Sequence, residues 1–321
     1  MKTLLIIGGT GFFGKSILDA FGRDLLKPWG VTKIISMARN AHSLQQIAPQ
    51  LVTSDVTLIS ADIKTTDSLP YADYVIHAAA STDVRDYISR PEHEKENIQA
   101  GVYRYGELAK KFHVKSKIVY VSSGAVYGAQ SPTLGKLDEL TFPCDVRCMD
   151  FGKRDYSIAK RDAELAFIQL GADGLSVSIA RCFAFVGCWL PRDQHFAVGN
   201  FIEDVLRHRP ITVRAEHRVY RSYMYVDDLV TWLMTIMDNA SVDCDIYNVG
   251  SDDERCIDDI AIELGGLHQL ETNVPKVRNQ NIDRYVPSIE KAAKILGLKL
   301  NYSSVESIEK SIQLLKRKVI Y

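Results

Sequence analysis

The feature that most constrains the fold lies at the start of the chain, where a short apolar run leads directly into closely spaced glycines. The run Thr3 to Ile7 has the pattern of a strand buried on both faces of a sheet, and the segment that follows it is GGTGFFG. Glycines at such spacing allow a tight turn and let an anion approach the backbone, and the next helix offers its first N–H groups to that anion. Strand, glycine turn and helix in this order predict a dinucleotide-binding unit, rather than only a glycine-rich turn. Its expected cofactor contacts are Gly8, Thr10, Gly11, Phe12, Phe13 and Gly14.

Apolar runs alternate with helical periodicities over the first 180 or so residues. Further runs of the strand type are Lys33 to Met37, Val56 to Ile59, Tyr74 to Ile76, Lys117 to Val121 and Leu175 to Ile179. Helical spacing of apolar residues covers Glu94 to Phe112 and Tyr156 to Leu170. This alternation predicts an α/β protein with a Rossmann-type, doubly wound parallel sheet.

Beyond residue 182 the alternation loosens, which predicts a second, smaller C-terminal α/β lobe. We assign residues 1–181 and 226–249 to the dinucleotide-binding domain and residues 182–225 and 250–321 to this lobe.

Composition excludes several classes of protein. The 39 basic and 40 acidic residues give a formal charge of −1, so a nucleic-acid partner is not expected. The six cysteines show no paired C-x-x-C spacing, and we predict no metal site. The N-terminal apolar run is too short for a signal peptide and no run is long enough to span a bilayer, so we expect a cytoplasmic protein without a membrane partner.

A tyrosine and a lysine four residues apart form the second chemical motif. Tyr156 and Lys160 would share one face of the predicted helix. We expect the Lys160 ammonium to lower the pKa of the Tyr156 phenol, which makes it a usable proton donor and acceptor, and to hold the cofactor ribose. Hydroxyl side chains also end the preceding strand of the predicted sheet, at Ser122 and Ser123.

These three motifs together resemble the extended short-chain dehydrogenase/reductase superfamily, and within it the NAD(P)-dependent nucleotide-sugar epimerases and dehydratases. The similar patterns are G-x-x-G-x-x-G, Y-x-x-x-K, and a hydroxyl residue four positions before Tyr127-Gly128. The resemblance implies a catalytic set of Ser123, Tyr156 and Lys160, with the last two also contacting the cofactor. It implies further cofactor contacts at Asp62, Ile63, Ala78, Ala79 and Ala80.

The resemblance also implies a site for a nucleotide-linked sugar. Asn200, Arg221 and Arg284 resemble positions that hold the nucleotide diphosphate, a task that suits the planar guanidinium fork. Ser122 and Ser123 are expected near the sugar. A homodimer is expected, formed by the helices at Glu94 to Phe112 and Tyr156 to Leu170 as in members of the family.

The residues after Ser123 bear on the reaction. Family members that dehydrate sugars carry Asp-Glu there, and those that decarboxylate sugar acids carry Glu, whereas this chain has Gly124 and Ala125. We therefore predict hydride transfer at a sugar carbon, of the 4-epimerase or 4-ketoreductase type. His195 is a candidate for the missing acid, or else packs under its loop. A 4,6-dehydratase is the alternative enzyme, and a non-catalytic protein that senses the cofactor is the alternative of another class.

The end of the second strand bears on the cofactor. Family members that prefer NAD carry an aspartate there, which would repel a 2′-phosphate. This chain has Ala38, followed by Arg39, which could pair with such a phosphate. The pattern favours NADP, and NAD with Arg39 stacked on the adenine stays open.

Overall fold

The computed structural model describes residues 1–80, 89–131, 133–149, 151–192, 196–276 and 280–318. Its contacts divide the chain into two compact units. The first comprises Met1–Gly128, Phe142–Cys182 and Val230–Asn248, and the second comprises Ala129–Thr141, Phe183–Leu229 and Val249–Tyr321. The boundaries expected from the sequence differ from these mainly at residues 129–141, which belong here to the second unit.

The strands form one large sheet and several small ones. They are β1 (Lys2–Ile7), β2 (Val31–Ala38), β3 (Val56–Ser60), β4 (Tyr74–His77), β5 (Lys117–Ser123), β6 (Ser176–Cys182), β7 (Phe185–Val186), β8 (Ile211–Thr212), β9 (Arg218–Arg221), β10 (Met224–Tyr225), β11 (Asp245–Val249), β12 (Arg255–Cys256), β13 (Thr272–Asn273) and β14 (Ile282–Tyr285). The helices are α1 (Phe12–Gly22), α2 (Leu44–Ile47), α3 (Pro91–Phe112), α4 (Phe151–Ala172), α5 (Ala197–Leu206), α6 (Val226–Asp238), α7 (Ile257–His268), α8 (Glu290–Leu296) and α9 (Ser304–Lys318).

The large sheet has the order β11-β6-β5-β4-β1-β2-β3. Strands β1 to β6 pair in parallel. The predicted α/β fold with a Rossmann-type sheet is therefore confirmed, and each predicted strand lies within an observed one or overlaps it. The strand order reverses between β1 and β4, and at such a switch point a crevice opens beyond the carboxyl ends of the strands.

Aromatic side chains fill the layer between this sheet and the helices α3 and α4. The ring of Tyr120 on β5 stacks on Phe167 of α4 with centroids 4.4 Å apart, and Tyr105 of α3 stacks on the same phenylalanine at 5.6 Å. All three side chains are buried. This packing fixes α4 against β5, and the predicted catalytic residues lie on those two elements.

The second unit has its own core and small sheets. Strands β12, β9 and β14 form a three-stranded sheet, and β7–β10 and β8–β13 form pairs. Its core includes the buried side chains Phe201, Ile260 and Ile308 from three helices. Among the helices of the described residues, none is both long and apolar enough to cross a bilayer.

Candidate active site

The glycine turn between β1 and α1 is shaped by two glycines without room for a side chain. Gly8 has a φ of +102°, and a Cβ atom there would lie 2.7 Å from the carbonyl oxygen of Ala78. A Cβ atom at Gly14 would lie 2.3 Å from the carbonyl oxygen of Gly9. Both contacts are with backbone atoms, so any larger residue would push apart β1, β4 or the start of α1.

A cavity of about 310 Å³ lies over this turn in the first unit. Most of the cofactor residues expected from the sequence line it, namely Gly8, Thr10, Gly11, Phe12, Phe13, Arg39, Asp62, Ile63, Ala78, Ala79 and Ala80. Gly14 shapes the turn from beneath. The sequence analysis missed other lining residues, among them Asn40, Lys64, Glu94 and Gly101. The residues from α3 could not be inferred locally, because only the packing of that helix brings them to the cavity.

A hydrogen-bonded chain of polar side chains forms one wall of this cavity. The backbone N–H of Lys64 donates to Asp62 Oδ1 at 2.9 Å, and the Lys64 ammonium donates to Asn97 Oδ1 at 2.7 Å. Asn97 in turn donates to Glu94 Oε1 at 3.3 Å. The Lys64 ammonium also lies 3.9 Å from Asp62 Oδ2. The cation therefore offsets the two carboxylates that would otherwise face an anionic ligand.

The geometry of the turn and cavity fits a dinucleotide. Gly8 and Gly11 line the cavity without side chains, which gives a pyrophosphate access to the backbone there, and α1 begins directly after Gly11, its N-cap. The Asp62 carboxylate also lines the cavity and can accept a hydrogen bond from a bound ligand.

The three predicted catalytic residues come together at the carboxyl end of β5. The Tyr156 hydroxyl hydrogen-bonds with the Ser123 hydroxyl. The Lys160 ammonium lies 5.8 Å from the centroid of the Tyr156 ring. Lys160 is buried, with 4% of its surface exposed, so its charge acts in a medium that water screens poorly.

Burial is the largest influence on the pKa values of Tyr156 and Lys160. It raises the pKa of Tyr156 to about 12, although the hydrogen bond with Ser123 acts in the opposite direction. Burial also lowers the pKa of Lys160 to about 8. The expectation that Lys160 lowers the pKa of Tyr156 is therefore not met in this structure, because the desolvation of the phenol outweighs other influences.

Two oxygen atoms of β5 hold the Lys160 ammonium. It donates to the Tyr120 hydroxyl at 3.2 Å and to the carbonyl oxygen of Val121 at 2.9 Å. An ammonium has three donors, so one remains for Tyr156 or for a ligand. The sequence analysis did not identify Tyr120.

Ser122 was expected near the sugar, but its side chain is engaged elsewhere. Its buried hydroxyl donates to Glu164 Oε1 at 2.6 Å, and Glu164 forms an ion pair with Arg181 on β6. Successive side chains of a strand leave in opposite directions, so Ser122 and Ser123 do not share a role. Glu164 was also missed, although it stands four residues beyond Lys160 on the same helical face.

The two arginines expected to hold a diphosphate lie on the three-stranded sheet of the second unit. Arg221 pairs in register with Tyr285, and Arg284 with Tyr220. Neighbouring residues of a strand alternate between faces, so the two guanidinium groups leave opposite faces of this sheet. Arg221 binds Asp283, and Arg284 lies 2.9 Å from a carboxylate oxygen of Glu254. The two arginines are therefore not placed to bind one diphosphate together.

Asn200, a further expected residue of the lobe, lies near the start of α5. Asn200 is half-buried on the first turns of that helix. A Cβ atom at the preceding Gly199 would lie 2.6 Å from the carbonyl oxygen of Pro191, so the loop packs tightly against the helix there. His195 lies outside the described residues.

Comparisons with known proteins agree with this architecture. A family model described as the NAD dependent epimerase/dehydratase family matches residues 4–250. The chain is 25% identical over 294 residues to a UDP-N-acetyl-alpha-D-glucosaminuronate decarboxylase of Bacillus cytotoxicus, with 89% of this chain and 85% of the relative covered. It is 28% identical over 301 residues to the UDP-glucuronic acid decarboxylase 5 of Arabidopsis thaliana, with 92% and 83% covered.

Solved structures resemble the chain over almost its whole length. The UDP-glucose 4-epimerase of Thermotoga maritima, in a structure with UDP-glucose, matches with a TM-score of 0.78 at 19% identity, covering 99% of this chain and 100% of that one. The dTDP-glucose 4,6-dehydratase of Bacillus anthracis, in complex with NAD, matches with a TM-score of 0.75 at 18% identity, covering 100% and 98%. At these identities the structural likeness concerns the fold. The family model spans more than half of the chain, and the chain therefore belongs to the NAD-dependent epimerase/dehydratase family.

Proposed function

We propose that this protein is an NAD(P)-dependent enzyme that modifies a nucleotide-linked sugar by hydride transfer at C4, as a 4-epimerase or a 4-ketoreductase. The observation that carries the proposal is the meeting of the Ser123 hydroxyl, the Tyr156 phenol and the buried Lys160 ammonium at the carboxyl end of β5. They lie in the same unit as the cavity that fits a dinucleotide. This set can move one proton at an alcohol or carbonyl oxygen, which hydride transfer at that carbon requires.

The proposed roles follow from the chemistry of each group. Tyr156 takes the proton of the sugar hydroxyl as C4 loses a hydride, and returns it in the reverse step. Ser123 donates a hydrogen bond to the same sugar oxygen and holds it beside the phenol. The Lys160 ammonium attracts the negative charge of a tyrosinate and so acts against the burial that raises the pKa of Tyr156. When bound, the nicotinamide supplies the chemistry of accepting and returning the hydride.

The residues after Ser123 argue against elimination and decarboxylation. Gly124 and Ala125 form a short 3₁₀ turn directly after β5 and carry no group that can exchange a proton. A 4,6-dehydratase, the alternative expected from the sequence, would need an acid and a base there. The curated relatives that decarboxylate sugar acids make decarboxylation the competing reaction, and the product analysis below separates these outcomes.

For the cofactor we propose NADP or NAD, with the end of β2 favouring NADP. Ala38 leaves the cavity without a carboxylate at this point, and the exposed Arg39 lines the same cavity. An arginine in this place suits a 2′-phosphate, whereas the family as a whole is described as NAD-dependent. A cofactor retained through purification would favour an epimerase, which must keep the hydride for its return.

For the substrate we propose a nucleotide sugar held in part by Asn200 and Arg221. Arg221 is only partly exposed, and its guanidinium is already oriented by Asp283 at 2.8 Å. The proposal does not include Arg284, because its side chain projects from the opposite face of the sheet.

The homodimer remains a prediction, and the exposed apolar side chains Tyr103, Leu165 and Ile168 on α3 and α4 support it. The cytoplasmic location also stays a prediction.

Product analysis tests the proposed reaction. The purified protein is first denatured, and any released cofactor is identified by mass. It is then incubated with UDP-glucose and with UDP-glucuronic acid, and the products are read by proton NMR. A 4-epimer of either sugar supports the epimerase, and oxidation of NADPH by a 4-keto nucleotide sugar supports the reductase. Release of carbon dioxide, or a 4-keto-6-deoxy product, would contradict the proposed reaction.

The Tyr156→Phe variant tests the catalytic assignment. It keeps the ring and removes the hydroxyl, so we expect turnover to fall by about 10²–10⁴-fold while nucleotide-sugar binding is retained. Tyr105→Phe is a matched control, because it likewise removes one phenol hydroxyl, in this case from a buried tyrosine on α3 that contacts His113. Equal turnover in the two variants would remove Tyr156 from the mechanism.

Cofactor binding without turnover of any substrate in the unsubstituted protein would favour the cofactor-sensing alternative.

A further inference from the structure

We propose that Tyr120 is a positioning residue whose hydroxyl keeps the Lys160 ammonium charged and directed at Tyr156. The inference rests on the proposed function only in that Lys160 is taken as catalytic. Tyr120 is proposed to act through Lys160 and not on the substrate itself. Its role is to supply an acceptor to a cation that would otherwise be poorly solvated.

The geometry of β5 supports this role. The Tyr120 hydroxyl and the Val121 carbonyl are both neutral acceptors, at 3.2 Å and 2.9 Å from the Lys160 ammonium. The ammonium also lies 4.9 Å from the centroid of the Tyr120 ring. The ring itself is clamped on Phe167 at 4.4 Å. A hydroxyl on so constrained a ring is an acceptor in a fixed place, which orients the ammonium as well as stabilising it.

Other titratable groups surround the ammonium, and they come from several elements. They are Tyr156 and Glu164 from α4, Cys182 from β6, and His77 from β4. Burial lowers the pKa of His77 to about 3 and raises the pKa of Cys182, so both are neutral near pH 8. Glu164 is held by Arg181 in an ion pair. Within the described part of the chain, the ammonium donates its hydrogen bonds to neutral oxygens of β5 and to no carboxylate.

The direction of the effect follows from linkage. Burial lowers the pKa of Lys160 to about 8, while the neighbouring Cys182 and Glu164 act in the opposite direction. The hydrogen bond from the ammonium to the Tyr120 hydroxyl also favours the charged form. Loss of this bond should lower the pKa by a further unit or so, as expected for one hydrogen bond to a charged group. Lys160 is then charged below the new pKa and loses its charge as the pH rises through it. The alkaline limb of any activity that needs the ammonium would move to lower pH by the same amount.

The test uses Tyr120→Phe, which removes the hydroxyl and keeps the ring that stacks on Phe167. The pKa of Lys160 is read by NMR from lysine labelled with ¹³C at Cε, and Lys160→Met identifies its resonance. This readout needs neither substrate nor cofactor, so it stands even if the proposed reaction is wrong. Tyr105→Phe is the control, because it removes a buried hydroxyl from a ring that stacks on the same phenylalanine.

We expect the Lys160 resonance to titrate about one pH unit lower in Tyr120→Phe and at the unsubstituted value in Tyr105→Phe. No shift in the first variant, or an equal shift in both, would overturn the proposal. Should Tyr120→Phe fail to fold, the unsubstituted protein labelled with ¹³C at tyrosine Cζ gives a second measurement. The Tyr120 resonance should then follow the titration of Lys160, and lose this dependence in Lys160→Met. A Tyr120 chemical shift that does not change as Lys160 titrates would also overturn the proposal.

Discussion

Replacing Glu164 by glutamine would leave the guanidinium of Arg181 without its carboxylate in the interior of the first unit. Arg181 donates to Glu164 Oε1 from Nε at 3.0 Å and to Oε2 from Nη2 at 2.8 Å, and Ser122 donates a third bond at 2.6 Å. The side chains are 11% and 6% exposed, so little water could take the place of the carboxylate. Glutamine has the same shape and one acceptor oxygen, but no charge. The variant therefore removes the charge and replaces one acceptor oxygen by an amide donor, with little change of shape.

The size of the effect follows from this burial. Removing one partner of a buried ion pair costs about 3–5 kcal/mol, because the other charge stays buried without compensation. Glutamine can still accept one of the hydrogen bonds, so we expect the lower end, about 3 kcal/mol. A domain is stable by only about 5–15 kcal/mol in total, so this is a large share of the free energy of unfolding.

Urea unfolding followed by circular dichroism measures the loss. The matched control is Glu290→Gln on α8, where the same substitution affects an exposed ion pair with Lys294 at 2.8 Å. We expect no resolvable change there, because water solvates both groups. Adding Arg181→Met to Glu164→Gln should recover part of the stability, since the buried charge is gone. A loss for Glu164→Gln no larger than that for Glu290→Gln would refute the reasoning.

Two further predictions concern the glycine turn and the outer helix faces. Gly14→Ala should lower the free energy of unfolding by about 1–3 kcal/mol and weaken cofactor binding, because its Cβ would meet the backbone of Gly9, whereas Gly22→Ala has open space and should cost nothing in urea unfolding. Equal behaviour of the two alanine variants would contradict the close approach. Leu165 is 65% exposed on α4, and in a homodimer joined by α3 and α4 the Leu165→Glu variant should sediment as a monomer at micromolar concentration. A monomer already in the unsubstituted protein would rule out that homodimer.

The large sheet could be predicted from the sequence because its strands are buried on both faces. Continuous apolar runs such as Thr3 to Ile7 are a local signal, and the glycines that follow fix the turn. The grouping of Ser123, Tyr156 and Lys160 also had a local basis, in the end of a strand and one face of a helix. The small strands of the second unit are mostly two to four residues long and carry too short a pattern to be recognised.

Other parts of the site depend on pairings between distant segments. The faces taken by Arg221 and Arg284 are set by the register of β9 against β14, which sequence spacing does not reveal. The pKa of Tyr156 depends on how completely the phenol is buried, and burial comes from tertiary packing. The helical periodicity could have placed Glu164 on the same face as Lys160. Its partner Arg181 lies on another element, so no local sequence pattern predicts the ion pair.

The even spacing along α4 restricts how this chain can vary in length. Tyr156, Lys160 and Glu164 stand at successive intervals of four, so the proton-handling group and the buried anchor of the helix are one rigid piece. An α-helix turns by about 100° per residue, and one inserted or deleted residue between 156 and 164 would swing everything beyond it around the axis by that angle. The Tyr156 phenol could then keep its position only if Glu164 lost its ion pair with Arg181 on β6. We therefore expect no length change to be tolerated inside this nine-residue stretch.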